Sequence, residues 1–144
     1  MLKKFRQLMN KDEKGFTLVE LLAVIVILGI IAAIAVPSIA GVIENSKKDA
    51  VVRSAEQALE AARLKALSED DYDFTASFAT LASDDYLENN TFTGGVKVET
   101  DTNGDEKYSV YVSGGNGYSL GSESAYKTKD QIIRDNVSKI TTTD

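Results

Sequence analysis

The stretch Lys14-Gly15-Phe16-Thr17-Leu18-Val19-Glu20-Leu21-Leu22-Ala23-Val24-Ile25-Val26-Ile27-Leu28-Gly29-Ile30-Ile31-Ala32-Ala33-Ile34-Ala35-Val36-Pro37 decides how this chain is built. From Leu21 to Val36 every residue is Leu, Ala, Val, Ile or Gly. Extending back to Phe16 gives 21 residues interrupted only by Thr17 and Glu20. At about 1.5 Å per residue such a helix spans roughly 30 Å, the hydrocarbon thickness of a bilayer. A helix also satisfies its own backbone polar groups, which lipid demands.

The flanking charge gives the run a direction. Residues 1–15 carry Lys3, Lys4, Arg6, Lys11 and Lys14 against Asp12 and Glu13, a balance of +3, which leaves −9 for the rest of a chain whose net charge is −6. Cationic flanks stay cytoplasmic, so residues 45–144 are expected to face outward. An ordinary secretory signal has a shorter apolar region with small residues after it. Here the run is longer, and Pro37-Ser38-Ile39-Ala40-Gly41 matches a signal cleavage site only loosely. A buried core helix would need more surrounding protein than 144 residues supply. A plain anchor leaves Glu20 unexplained, because an ionised carboxylate one turn into an apolar helix is costly unless paired or able to snorkel.

Glu20 and its neighbours carry a resemblance. Lys14-Gly15-Phe16-Thr17-Leu18-Val19-Glu20, followed by the apolar run with Gly29 and Pro37, resembles the class III leader of type IV prepilins over residues 11 to about 45. The resemblance implies cleavage between Gly15 and Phe16 by a prepilin peptidase, and N-methylation of Phe16 by the same enzyme. It implies that Glu20 meets the amine of a neighbouring copy, setting the register of assembly. It also implies that the interval between Gly29 and Pro37 kinks or melts in a filament. Residue chemistry supports the last point: glycine weakens a helix by about 1 kcal/mol, and proline removes a backbone bond.

Beyond Pro37 the apolar spacing becomes one-sided. Val51 or Val52, Ala55, Ala58 or Leu59, Ala62 and Ala66 recur at three and four, while Lys47, Lys48, Arg53, Glu56, Glu60 and Arg63 fill the other face. One helix is expected from about Phe16 to about Leu67, apolar all round in its first half and amphipathic in its second. Residues 68–95 read as an irregular connection, with Phe74, Phe78 and Leu81 forming a short helical turn against the core. The solvated acidic pairs Asp70-Asp71 and Asp84-Asp85 lie in it.

Two alternating runs follow, Val96–Thr100 and Lys107–Val112. A two-residue Asn103-Gly104 turn would mix their faces, whereas a loop of Thr102, Asn103 and Gly104 sets Val98 opposite Tyr108 and Val96 opposite Val110. A second loop, Gly114-Gly115-Asn116, is expected to set Val112 opposite Tyr118 and Val110 opposite Leu120. The fold class is therefore α+β: a long N-terminal helix packed on a three-stranded antiparallel sheet, the type IV pilin fold by resemblance. Residues 127–140 are expected to form a helical turn or two with Ile132, Ile133, Val137 and Ile140 as the apolar side. Family members commonly staple this region with a disulfide. Lacking cysteine, the chain resembles the cysteine-free major pilins of Gram-positive bacteria.

With no histidine and no cysteine, the commonest general base, the thiol nucleophile and the usual metal ligands are missing. No catalytic residues and no cofactor are expected. Asp101-Thr102-Asn103-Gly104-Asp105-Glu106 places oxygens at alternating positions, but glycine stands fourth rather than sixth and no glutamate closes a calcium loop at the twelfth. A hairpin tip explains those residues.

The organisation expected is a cleaved leader over 1–15, a transmembrane and then filament-core helix over 16–45, and a globular head over 46–144. The function expected is that of a type IV pilus subunit for adhesion, motility or biofilm formation. The alternatives are a pseudopilin of a secretion or DNA-uptake fibre and a membrane-tethered binding domain that never polymerises. Partners implied by the resemblance are further copies of the chain, the prepilin peptidase/methyltransferase, an assembly platform with minor pilins, and the membrane before assembly. Nucleic acid is expected only in the DNA-uptake case. The acidic body opposes phosphate-backbone binding.

Overall fold

The computed structural model describes the backbone of residues 2–88 and 91–141, and the side chains of residues 17–88 and 91–141. The chain divides into two compact units, Met1–Ile43 and Glu44–Asp144. The first is helical. Helix α1 runs Leu2–Glu69, so it begins well before the expected Phe16 and ends two residues past the expected Leu67. The earlier start follows from the abundance of Leu, Lys, Met, Gln and Glu over residues 2–14, all good helix formers. Pro37 sits inside α1, and the helix stays unbroken from Gly29 through it.

In the second unit, α1 is followed by β1 (Phe74–Ser77), α2 (Phe78–Ser83), β2 (Thr93–Thr100), β3 (Glu106–Gly114) and β4 (Tyr118–Leu120). Then come β5 (Lys127–Thr128), 3₁₀ turns at Lys129–Gln131 and Arg134–Asn136, and β6 (Val137–Lys139). The sheet is antiparallel in order β1-β2-β3-β4-β6, with β5 also pairing with β3. Among the described residues it therefore has six strands rather than three.

The core is a layer of small and β-branched side chains. Val51, Ala55, Ala58, Ala62 and Ala66 of α1 are fully buried, as are Val96, Val98, Val110, Val112 and Leu120 of the sheet. Val on strands packs well against a pleated surface. Alanine on the helix lets that surface come close. The β2–β3 register is the expected one, Val98 opposite Tyr108 and Val96 opposite Val110. Gly104, at φ +85°, takes the left-handed position of the turn. Its N–H donates to Asp101 O at 3.0 Å, and the Asp101 N–H donates to Asp105 O at 2.9 Å.

The next turn corrects the expectation. Val112 stands opposite Leu120, not Tyr118, so the pairing slips by two residues. Gly115 and Gly117 both have positive φ, at 130° and 87°. Between them the Asn116 side chain accepts from the Tyr118 N–H at 3.2 Å and donates to Lys47 O of α1 at 2.8 Å. Closing the turn and tying it to α1 takes up residues that a tight loop would have left to the strands. A slip of two preserves the facing, so Tyr118 and Leu120 both still point inward and are buried.

Two further segments are corrected, the first only in part, since the expected short helical turn is present with Phe78 and Leu81 against the core. Within 68–95, Phe74–Ser77 forms an edge strand with Phe74 opposite Val98, and the short helix Phe78–Ser83 follows it, burying Phe78 and Leu81. Ser77 caps that helix, its Oγ accepting from the Thr80 N–H at 3.1 Å. Residues 127–140 are not α-helical. Ile132 and Val137 are buried, but Ile133 and Ile140 are exposed. β6 gives the short β4 the backbone partner that it needs, with Leu120 opposite Val137.

Candidate functional site

Residues 18–43 of α1 present the largest apolar surface among the described residues. Every Leu, Ile and Val in this stretch is between 51% and 69% exposed, and the 18-residue window of highest mean hydropathy reaches 3.0. Isolated exposed apolar side chains are ordinary, but a continuous surface of this size marks a membrane or partner contact. Length and composition suit a single membrane-spanning segment.

The expected site residues fall on this helix as follows. Gly15 and Phe16 lie in its helical backbone, and their side chains are outside those described. Glu20 is exposed on the apolar surface, with no ion pair among the described residues. A methyl group added to Gly29 would meet nothing within 4 Å, so packing among the described residues does not call for glycine there. One turn before Pro37 lies no break: Ser38 Oγ donates to Ile34 O at 3.3 Å across the proline.

The second unit carries three polar constellations that the sequence pattern did not expose. Arg134 grips Asp49 with both nitrogens, Nε to Oδ1 and Nη2 to Oδ2, each at 2.6 Å. This forked contact holds the Asp49 carboxyl below its ordinary range and raises the guanidinium. The partners are 85 residues apart, beyond any local signal. Lys65 Nζ lies 2.7 Å from Glu69 and 2.9 Å from Asp84, beside the rings of Phe74 and Tyr86. The Glu69 contact has the legible i,i+4 spacing, whereas Asp84, expected as plain surface, is held by the fold. Third, Tyr108 donates to Glu106 at 2.7 Å under the Arg63 guanidinium. Burial and that carboxylate push its hydroxyl up to about 12.

Beside Tyr108 an open cleft of about 630 Å³ runs between α1 and the start of β3, lined by Leu59, Arg63 and Lys129 among others. Its charges are mixed and it contains no histidine, cysteine or paired nucleophile and base. At the hairpin tip, Asp101 Oδ1 accepts from the N–H groups of Asn103 and Asp105, at 2.8 and 3.1 Å. Among the described residues no group of three or more acidic, histidine or cysteine side chains is arranged to hold a metal ion.

Compared with known families, residues 10–36 match the family described as the prokaryotic N-terminal methylation motif. No curated protein matches the chain, and no solved structure does. The match covers the Gly15–Phe16 junction, Glu20 and Gly29 and stops one residue short of Pro37. The methylation motif at residues 10–36, carried on a long N-terminal helix whose later half packs on a multi-stranded antiparallel sheet, matches the general architecture of the type IV pilin fold.

Proposed function

We infer that the chain is a structural subunit of a type IV pilus. Residues 1–15 are a leader removed by a prepilin peptidase between Gly15 and Phe16, and the new N-terminal Phe16 is methylated. Residues 16–45 then hold the subunit in the cytoplasmic membrane, with the head of residues 46–144 outside. Assembly platform and minor pilins draw these helices into an extracellular homopolymer used for adhesion, motility or biofilm formation.

The observation that supports this reading is the unbroken apolar surface of residues 18–43 with one carboxylate, Glu20, near its start. Out of lipid, such a surface needs cover, and identical helices supply it. In that bundle an ionised Glu20 requires a cation. The amine freed at Phe16 provides one that does not exist before cleavage. Low dielectric strengthens the pair, while desolvation of both charges offsets much of the gain. The pair therefore acts on register: every other axial offset strands a charge in apolar surroundings. Gly29, which no contact among the described residues requires, and Pro37 give the helix a weak interval that can unwind when copies bundle. A pseudopilin would share all of this. The hairpin tip, whose Asp101 already serves backbone amides, favours the pilus over fibres whose heads carry a calcium loop.

The test is expression with Glu20→Ala. Export and leader removal are expected to proceed, giving a subunit with the mass of residues 16–144 plus one methyl group, while long sheared fibres fall severalfold. Wild-type fibre yield from the variant would sink the register role. A mass that retains residues 1–15 would sink the processing site.

A further inference from the structure

We propose that one end of the head is a docking surface for anionic lipid headgroups, holding the unassembled subunit against the leaflet into which its span emerges. The inference rests on residues 16–43 spanning a membrane, and it assigns a separate role to residues of the head.

A chain of contacts gathers this surface. Asn116 donates to Lys47 O, and the Ile140 N–H donates to O of the adjacent Gly117 at 2.9 Å. The fork from Arg134 to Asp49 brings Ile133 to the same end of α1's amphipathic half. Ile133 and Ile140 are, with Leu64 and Leu67, the large exposed apolar side chains of this unit, at 48% and 37% exposure. Lys47 and Lys139 are exposed and have no ion pair among the described residues. Of the other charges here, Lys48 pairs with Glu44 at 3.1 Å and Arg134 with Asp49, while Asp135 offsets one lysine, so Lys47, Lys48, Arg134 and Lys139 against Glu44, Asp49 and Asp135 leave a net +1. Two free cations beside two exposed isoleucines are the combination that binds an anionic interface, through apolar insertion and headgroup attraction together.

Position along the chain selects lipid as the occupant. Lys47 is four residues past Ile43, where the exposed apolar run ends. Four residues reach at most about 14 Å in any arrangement, so Lys47 stays close to the leaflet surface. The rest of the head has the opposite charge. Residues 69–106 hold eleven acids against the single Lys97. An anionic leaflet therefore repels that part and attracts the end bearing Lys47 and Lys139.

The absence of cysteine makes the test direct. Full-length chain carrying Ile140→Cys, or Asn103→Cys at the hairpin tip, is labelled with an environment-sensitive fluorophore. It is reconstituted at one copy per nanodisc, in phosphatidylcholine alone or with added phosphatidylglycerol. The expected result is a blue-shifted emission at position 140 only with phosphatidylglycerol, no shift at position 103, and loss of the shift in a Lys47→Glu/Lys139→Glu background. Equal emission in both lipids, a shift at both positions, or a shift that survives the double substitution overturns the proposal. So does a shift that appears only with several copies per disc, which would make a second chain the occupant. Chain that fails to co-purify with discs overturns the membrane reading and the docking with it.

Discussion

The two halves of α1 share a backbone geometry and face opposite surroundings. Residues 18–43 expose Leu, Ile and Val on every side, whereas residues 44–69 bury one face, Val51, Ser54, Ala55, Ala58, Leu59, Ala61, Ala62 and Ala66, and leave charged residues such as Arg53, Glu56, Glu60 and Arg63 in solvent. The first half is more hydrophobic, yet it is the second that has a core. What differs is what the chain itself provides as cover: a sheet of Val96, Val98, Val110, Val112 and Leu120 for the alanine stripe, and nothing described for the first half. Hydrophobicity alone does not locate a folded domain's interior. It does so only where complementary surface exists in the same chain.

This contrast can be broken most strongly by truncating equivalent side chains in the two regions. Leu120→Ala removes a fully buried leucine from the sheet and should cost the head about 2–5 kcal/mol in denaturant unfolding of the full chain in detergent. Ile31→Ala on the exposed run should leave that transition unmoved. An equal loss from both would mean that the first half is part of the head's core. A somewhat smaller effect is expected from Ala62→Leu. There the added bulk must fit where the helix meets the sheet, at about 1–3 kcal/mol, while Ala32→Leu on the first half is neutral by the same measurement.

The contact between Asp49 and Arg134 sharpens the comparison from the polar side. Its carboxyl pKa is lowered from the ordinary 3.8 by the guanidinium. A lowered carboxyl pKa makes the folded form the poorer proton binder, so the contribution is present above pH 3.8 and fades as pH falls below it. Arg134→Ala should therefore lower the head's unfolding midpoint modestly at pH 7, with the gap to wild type closing in acid. A gap independent of pH down to about 2 would assign the loss to packing instead. The smallest effect belongs to Ser54. Its hydroxyl is buried with no hydrogen-bond partner among the described residues. Ser54→Ala should leave stability within about 0.5 kcal/mol of wild type or raise it, because no bond is broken and no cavity opens. A clear loss would reveal a partner for that oxygen.

Legibility followed the range of the interactions. The apolar run, the alanine stripe and the β2–β3 register could all be read because each depends on spacing within a few residues and on one decisive glycine, Gly104. The β3–β4 register was missed because Asn116 answers to Lys47, far away in the sequence. Phe74–Ser77 was missed as a strand because four residues of mild propensity become one only beside β2. The C-terminal segment misled more deeply. Four apolar residues at near-helical intervals suggested a helix, yet the demand of β4 for a backbone partner drew Val137–Lys139 into the sheet.

From its order of residues alone, the chain settled that its N-terminal region is a membrane-length helix within which the methylation motif of residues 10–36 falls, with a single acid, Glu20, in its apolar stretch. Local periodicity and the cost of unsatisfied backbone in lipid leave that segment few other choices. Tertiary structure alone decided how the head closes without a disulfide: β6 beside β4, Arg134 on Asp49, and Lys65 on Asp84. Each of those joins groups whose attraction is too short-ranged to act until the sheet has already brought them together.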